Sequence, residues 1–123
     1  MGRPMERRGR RAEEALRLLG LARRAGSVAP GTDAARRAAR AGEARLILMA
    51  GDASSVQLEK VQKVLKNRPI PWGTLGDRAT LGAAVGLGPV SAVAVTADSF
   101  AEALRRALEL GEESVPETSE EER

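Results

Sequence analysis

Arg45-Leu46-Ile47-Leu48-Met49-Ala50 is an unbroken apolar run set between a charged residue and Gly51. A strand with one face in water alternates polar and apolar residues, whereas a strand covered on both faces is apolar throughout. The run is therefore expected as the central strand of a sheet with helices above and below it.

Working outward toward the N-terminus, Ala12 to Ala25 places Ala15, Leu16, Leu18, Leu19 and Ala22 on one face, with Arg17, Arg23 and Arg24 outside it. This spacing predicts an amphipathic helix stopped by Gly26. Ser27 to Pro30 reads as a short extended piece. Gly31 and Thr32 then open a second, Ala-rich helix over Asp33 to Ala41, which Gly42 ends and which carries Arg36, Arg37 and Arg40.

Toward the C-terminus, Asp52, Ser54 or Ser55 can cap a third helix running to about Lys66, with Leu58, Val61 and Leu65 inward and Pro69 beyond its end. Ile70 to Leu75 is a strand that Pro71 pushes toward a sheet edge or a loop. Gly76-Asp77 turns the chain into a short helix, Arg78 to Val85, ended by Gly86. Val90 to Thr96 alternates Val with small residues, and Asp98 or Ser99 can cap a last helix, Phe100 to Leu110, with Phe100, Leu104 and Leu108 inward. Alternating strands and helices predict the α/β class, as a three-layer α/β/α sandwich: a small mixed sheet with helices on both faces.

The 123 residues suit one domain. Arg3, Arg7, Arg8, Arg10 and Arg11 mark residues 1–11 as a basic flexible arm, able to embrace a polyanion or simply to stay solvated. Six glutamates between Glu112 and Glu122 mark residues 111–123 as an acidic flexible tail. Residues 12–111 hold fourteen Lys/Arg against ten Asp/Glu, so the expected domain, residues 12–110, is itself basic and points to nucleic acid or another polyanion.

The chain has no Cys and no His, which removes disulfides, thiolate metal sites, the usual general base and the common zinc ligands. No catalytic residue, metal site or cofactor is expected, and Asp52 beside Ser54 and Ser55 reads as a helix cap before a catalytic carboxylate. "GLGP" (86–89) and "GTLGD" (73–77) lack the spacing of a phosphate loop or a dinucleotide fingerprint. No secretory leader is expected, because the basic start leads into an amphipathic segment. The uncharged stretch Ala79 to Ala97 is interrupted by Gly82, Gly86, Gly88 and Pro89, so it reads as helix, turn and strand rather than a membrane span. A cytoplasmic location is the resulting expectation.

The strongest local feature is Gly31-Thr32-Asp33-Ala34-Ala35-Arg36-Arg37. Free amides at a helix start meet phosphate well, Gly permits close backbone approach, and Arg37 can clamp the same anion. The same residues also read as an ordinary cap on an exposed basic helix. Trp72 can stack on a base or pack beside its strand; with no Tyr and one Phe, the aromatic platforms of single-strand binders are missing.

In order and spacing, "LLGLARRAGSVAPGTDAARRAARAGEARLILMAGDAS" (18–54), "IPWGTLGDRATLGAAVG" (70–86) and "VSAVAVTADSFAEAL" (90–104) resemble the kink-turn-binding ribosomal-protein superfamily, in particular its bacterial YlxQ-like branch. The resemblance covers roughly residues 12 to 110. It implies an α/β/α sandwich that grips a sharply bent RNA with sheared guanine-adenine pairs, using the second helix start and the loop before the fourth helix. On that resemblance Gly31, Thr32 and Asp33 fall on the helix-start motif, and Arg37 on a basic position that is usually Lys. Asp52 falls on the acidic position after the central strand, and Gly76, Asp77 and Arg78 in the second RNA-facing loop. Archaeal members typically carry Asn-Glu where this chain has Asp33-Ala34; Asp33 can accept from a guanine edge but cannot donate, and Ala34 adds no polar group. Arg36, Arg37, Arg40 and Arg78 would supply phosphate contacts regardless of base readout.

The expected partner is thus structured RNA, with ribosomal RNA or another ribonucleoprotein in view, bound by a non-enzymatic monomer. A protein-interaction or assembly module on the same fold is the alternative, as is the detached recognition part of an RNA-modifying enzyme.

Overall fold

The computed structural model describes residues 4–109. The elements in chain order are α1 (Pro4–Arg24), β1 (Val28–Pro30), α2 (Thr32–Arg40), β2 (Leu46–Met49), α3 (Ser55–Asn67), β3 (Trp72–Thr74), α4 (Arg78–Ala84), β4 (Ala92–Val95) and α5 (Asp98–Leu108). The strands form one mixed sheet in the order β1-β4-β2-β3. β4 runs antiparallel to both β1 and β2, while β2 and β3 are parallel.

The apolar run at 46–49 is buried at every position and lies inside the sheet between β4 and β3. Its side chains alternate between two cores. Leu46 and Leu48 join Val93 and Val95 of β4 under α1, α4 and α5, with Leu19, Leu81 and Leu104. Ile47 and Met49 join Ala92 and Ala94 on the other face, where α2 and α3 contribute Ala35, Ala38, Ala39, Val61 and Val64. The alternating Val and Ala of β4 thus have opposite jobs: Val fills the three-helix layer, and Ala lets the Ala-rich α2 lie close to the sheet. Truncating Leu48 would remove a fully buried side chain at the centre, a change that costs about 2 to 5 kcal/mol.

Several sequence expectations shift. α1 begins at Pro4 rather than Ala12, so residues 4–11 of the segment expected as a flexible arm are helical. Proline is preorganised for the first helical position, and the following Glu, Ala and Arg residues favour helix. Residues 1–3 of that arm, and residues 111–123 expected as an acidic tail, lie outside the described residues. Ser54 is the cap of α3, its Oγ accepting from the Gln57 amide at 3.3 Å; Asp52 is occupied elsewhere. Neither Asp98 nor Ser99 caps α5, which follows Ala97 without a side-chain cap, because Asp98 is turned to the Arg45 guanidinium at 3.2 Å. Among the described residues no helix is long and apolar enough to cross a membrane.

Candidate nucleic-acid interface

Strand register gathers the loops of interest at one end of the sheet. Pro30 pairs with Val93, Met49 with both Ala92 and Thr74, so the ends of β1, β2 and β3 and the start of β4 share one rim. Backbone bonds tie that rim together: the Gly31 amide donates to Ala92 O at 2.9 Å, Ala50 to Ser91 O at 2.9 Å, and Gly51 to Gly76 O at 2.7 Å.

The two helix starts on this rim differ. α4 is closed by carboxylates: Asp77 Oδ1 accepts from the Thr80 amide at 2.8 Å, and Asp52 Oδ1 accepts from the Arg78 amide at 2.8 Å. Thr80 donates to Asp77 from both its backbone N–H and its hydroxyl, holding that carboxyl below the ordinary Asp value. Asp52 Oδ2 also lies 3.4 Å from Arg78 Nε.

α2 is open. Its N-cap is Gly31, which has no side chain to turn inward and sits at φ 97°, a conformation that a residue with a Cβ adopts only under strain. Thr32, Asp33 and Ala34 present the first-turn amides, and these have no acceptor among the described residues. A helix start in this state carries partial positive charge and three aligned donors. Asp33 is thus in the first turn and not the cap; its carboxylate is exposed and lies 3.7 Å from Arg36 Nη1.

Around these amides lies an open depression of about 550 Å³. Its walls are Gly31 to Ala34 and Arg37 of α2, Gln57 and Lys60 of α3, and Pro89 to Ser91 of the loop before β4. Thr32, which lines it, is the only buried polar or charged residue among the described ones.

The site residues expected from sequence therefore form three groups. Gly31, Thr32, Asp33 and Arg37 share the depression. Asp52, Gly76, Asp77 and Arg78 form a neighbouring knot at the α4 start, joined to the depression through the Val90 amide, which donates to Arg78 O at 3.1 Å. Arg36 and Arg40 leave α2 on another side and line a separate groove. Gln57, Lys60 and Pro89 to Ser91 went unnoticed in the sequence. Lys60 had only the signal of a polar helix position, and the 86–89 turn gained meaning only from its place beside Gly31. Trp72 is 42% exposed on the edge strand and lines an apolar groove with Leu58, Leu65 and Pro69, outside the depression. No three acidic side chains cluster among the described residues in a way that could hold a metal ion.

A family model described as the ribosomal protein L7Ae/L30e/S12e/Gadd45 family matches residues 13–105. The chain belongs to this family. Among L7Ae-family relatives, the RNA-binding protein YlxQ of Bacillus subtilis (strain 168) is 38% identical over 87 residues, covering 71% of this chain and 87% of the relative. A Bacillus halodurans protein of unknown function superposes with a TM-score of 0.72 at 27% identity, over 77% of this chain and 96% of that one. The Giardia lamblia 15.5kD RNA binding protein superposes with a TM-score of 0.70 at 18% identity, over 85% and 90% of the two chains, a likeness of fold. The L7Ae-family α/β/α architecture and the YlxQ-like resemblance read from the sequence are both shown.

Proposed function

We propose that this chain binds structured RNA without catalysing a reaction, and that its target is a kink-turn or a similarly bent element of ribosomal RNA. The observation that carries this is the uncapped start of α2: three free amides open into a depression that also holds Arg37 and Lys60. A backbone phosphate supplies two non-bridging acceptor oxygens and the negative charge such a site lacks. The 38% identity to a protein named as RNA-binding supports the reading.

In this mechanism the Thr32 to Ala34 amides and Arg37 hold phosphate and fix register, and Asp33, exposed at the mouth, accepts from a guanine edge. Arg78, steered by Asp52, faces the flanking strand from the neighbouring loop. Phosphate contacts give affinity; the shape of the bent RNA selects the target.

The test compares Arg37→Ala with Arg106→Ala, which removes a cation of α5 paired to Glu102 at 2.7 Å. In a titration with kink-turn RNA at fixed salt, Arg37→Ala is expected to weaken binding about tenfold, near 1.4 kcal/mol, and Arg106→Ala little. Equal losses would mean binding by diffuse charge and remove the site. No binding of RNA by the wild-type chain would remove the function and favour the protein-interaction reading.

A further inference from the structure

Outside α2 and α3, Arg11, Arg17, Arg45, Arg78 and Arg106 are each matched to a carboxylate, those of Glu109, Glu14, Asp98, Asp52 and Glu102 in turn. The seam between α2 and α3 is different. Arg37, Arg40, Lys60, Lys63 and Arg68 make no ion pair with any described carboxylate.

The two helices lie side by side with the same polarity, since Gln57 and Lys60 of α3 stand at the α2 start while Asn67 and Arg68 stand with Arg40 near its end. Beyond the depression described above, the seam opens into a second groove of about 470 Å³ lined by Arg36, Arg40, Lys63, Val64, Asn67 and Arg68. Four of these six side chains are cationic and none is acidic. Arg36 Nε is buried at this groove and has no hydrogen-bond partner, although a buried donor without an acceptor is rare in folded proteins. Arg40, Lys63 and Arg68 stand together without counter-charge, and beside them Arg36 keeps an idle buried Nε although its Nη1 lies 3.7 Å from Asp33; this describes a site built for an anion that is not part of the chain.

We propose that this second groove is a phosphate site for the RNA duplex flanking the element bound at the α2 start. The proposal rests on the RNA-binding reading above and extends it: the RNA continues along the α2–α3 seam. α2 has nine residues, so its two ends are about 13 Å apart, the length of roughly four to five base-pair steps. A flanking stem shorter than that leaves the second groove empty; a longer one fills it.

The experiment titrates the full chain with two RNAs that share one kink-turn and carry flanking stems of about 3 or about 10 base pairs. Wild type is expected to bind the long-stem RNA about tenfold more tightly. The double variant K63Q/R68Q is expected to lose that advantage while binding the short-stem RNA as wild type does, and its salt dependence on the long stem should fall by about two phosphate contacts. K63R/R68K, which keeps both charges, should retain the advantage, and K63E/R68E should reverse it. Because Lys63 and Arg68 are exposed, thermal melting should be unchanged, which separates loss of contact from loss of fold. Equal wild-type affinity for the two stems, or equal weakening of both by K63Q/R68Q, overturns the second site while leaving the first intact. Binding of polyglutamate that K63Q/R68Q abolishes, without any effect of stem length, assigns the groove to an acidic protein and also overturns it. Failure of wild type to bind either RNA would instead remove the reading on which this proposal rests.

Discussion

Asp52 and Arg78, 26 residues apart, are joined twice: Asp52 Oδ1 accepts the Arg78 backbone N–H at 2.8 Å, and Oδ2 lies 3.4 Å from Arg78 Nε. The carboxylate after β2 therefore closes the first turn of α4 and orients the arginine in the same stroke. Asp52 is a positioning residue in this arrangement, and Arg78 is the group it presents. Asp52→Ala is expected to lower stability by about 1 kcal/mol, a melting shift of about 4 to 8 °C for a domain of this size. Asp52→Asn keeps an acceptor for the amide and should lose less. Thermal melting of both variants checks this; identical melting in wild type and Asp52→Ala would show that the bond contributes nothing.

The Asp77 cap gives α4 a pH dependence with a definite sign. Donation from Thr80 holds the folded-state carboxyl below the ordinary value of 3.8. A lowered folded pKa stabilises the fold at pH values above the unfolded pKa, and that contribution disappears as pH falls through the folded one. Urea unfolding at neutral pH and at stepwise lower pH should show Asp77→Asn losing less stability than wild type below 3.8. Parallel curves for the two proteins through that range would exclude Asp77 as the titrating group.

Gly82, inside α4, has a packing role that helix propensity alone would miss. A Cβ there would stand 1.9 Å from the Gly88 carbonyl oxygen and 2.7 Å from its carbon, and both are backbone atoms. Gly82→Ala gains up to about 1 kcal/mol of helix propensity but must push the 87–88 turn away, at a larger cost of about 1 to 3 kcal/mol or more. Net destabilisation in chemical denaturation is the expected result. A stabilised Gly82→Ala protein would show that the turn moves freely.

Asp33 carries the question of base selectivity. With Gly31 as the cap, Asp33 is free of that task, and replacing it costs only its favourable place in the first turn and the 3.7 Å approach to Arg36, together a few tenths of a kcal/mol. Asp33→Asn can both accept and donate, so it should preserve or raise the affinity ratio of kink-turn to straight duplex, whereas Asp33→Ala should lower it by a contact worth about 1 to 3 kcal/mol. Measuring that ratio at fixed salt decides the matter. A ratio unchanged in all three proteins would make this chain a binder of RNA backbones alone.

The apolar run at 46–49 and the alternating Val and Ala of 92–95 were enough to specify buried strands, because side-chain period and burial are written locally in the residues. The helix faces of α1 and α5, the Gly31 break and the edge position of β3 after Pro71 were legible for the same reason. The start of α1 was not, since the charge of residues 4–11 speaks for solvation while their helix propensity speaks for helix, and the second prevailed.

What tertiary structure alone decided is which polar groups are already used. Asp52 and Asp77 both read as turn or cap residues, yet only the fold brings the first across 26 residues to the Arg78 amide. Asp33 reads as a cap and is not one. Arg36, Arg37 and Arg40 are neighbours in sequence, but helix geometry sends Arg37 to the depression and the other two to the α2–α3 seam, where Lys63 and Arg68 meet them. A residue's type and period are set by the chain around it; whether its charge is matched or free depends on partners that distant segments supply.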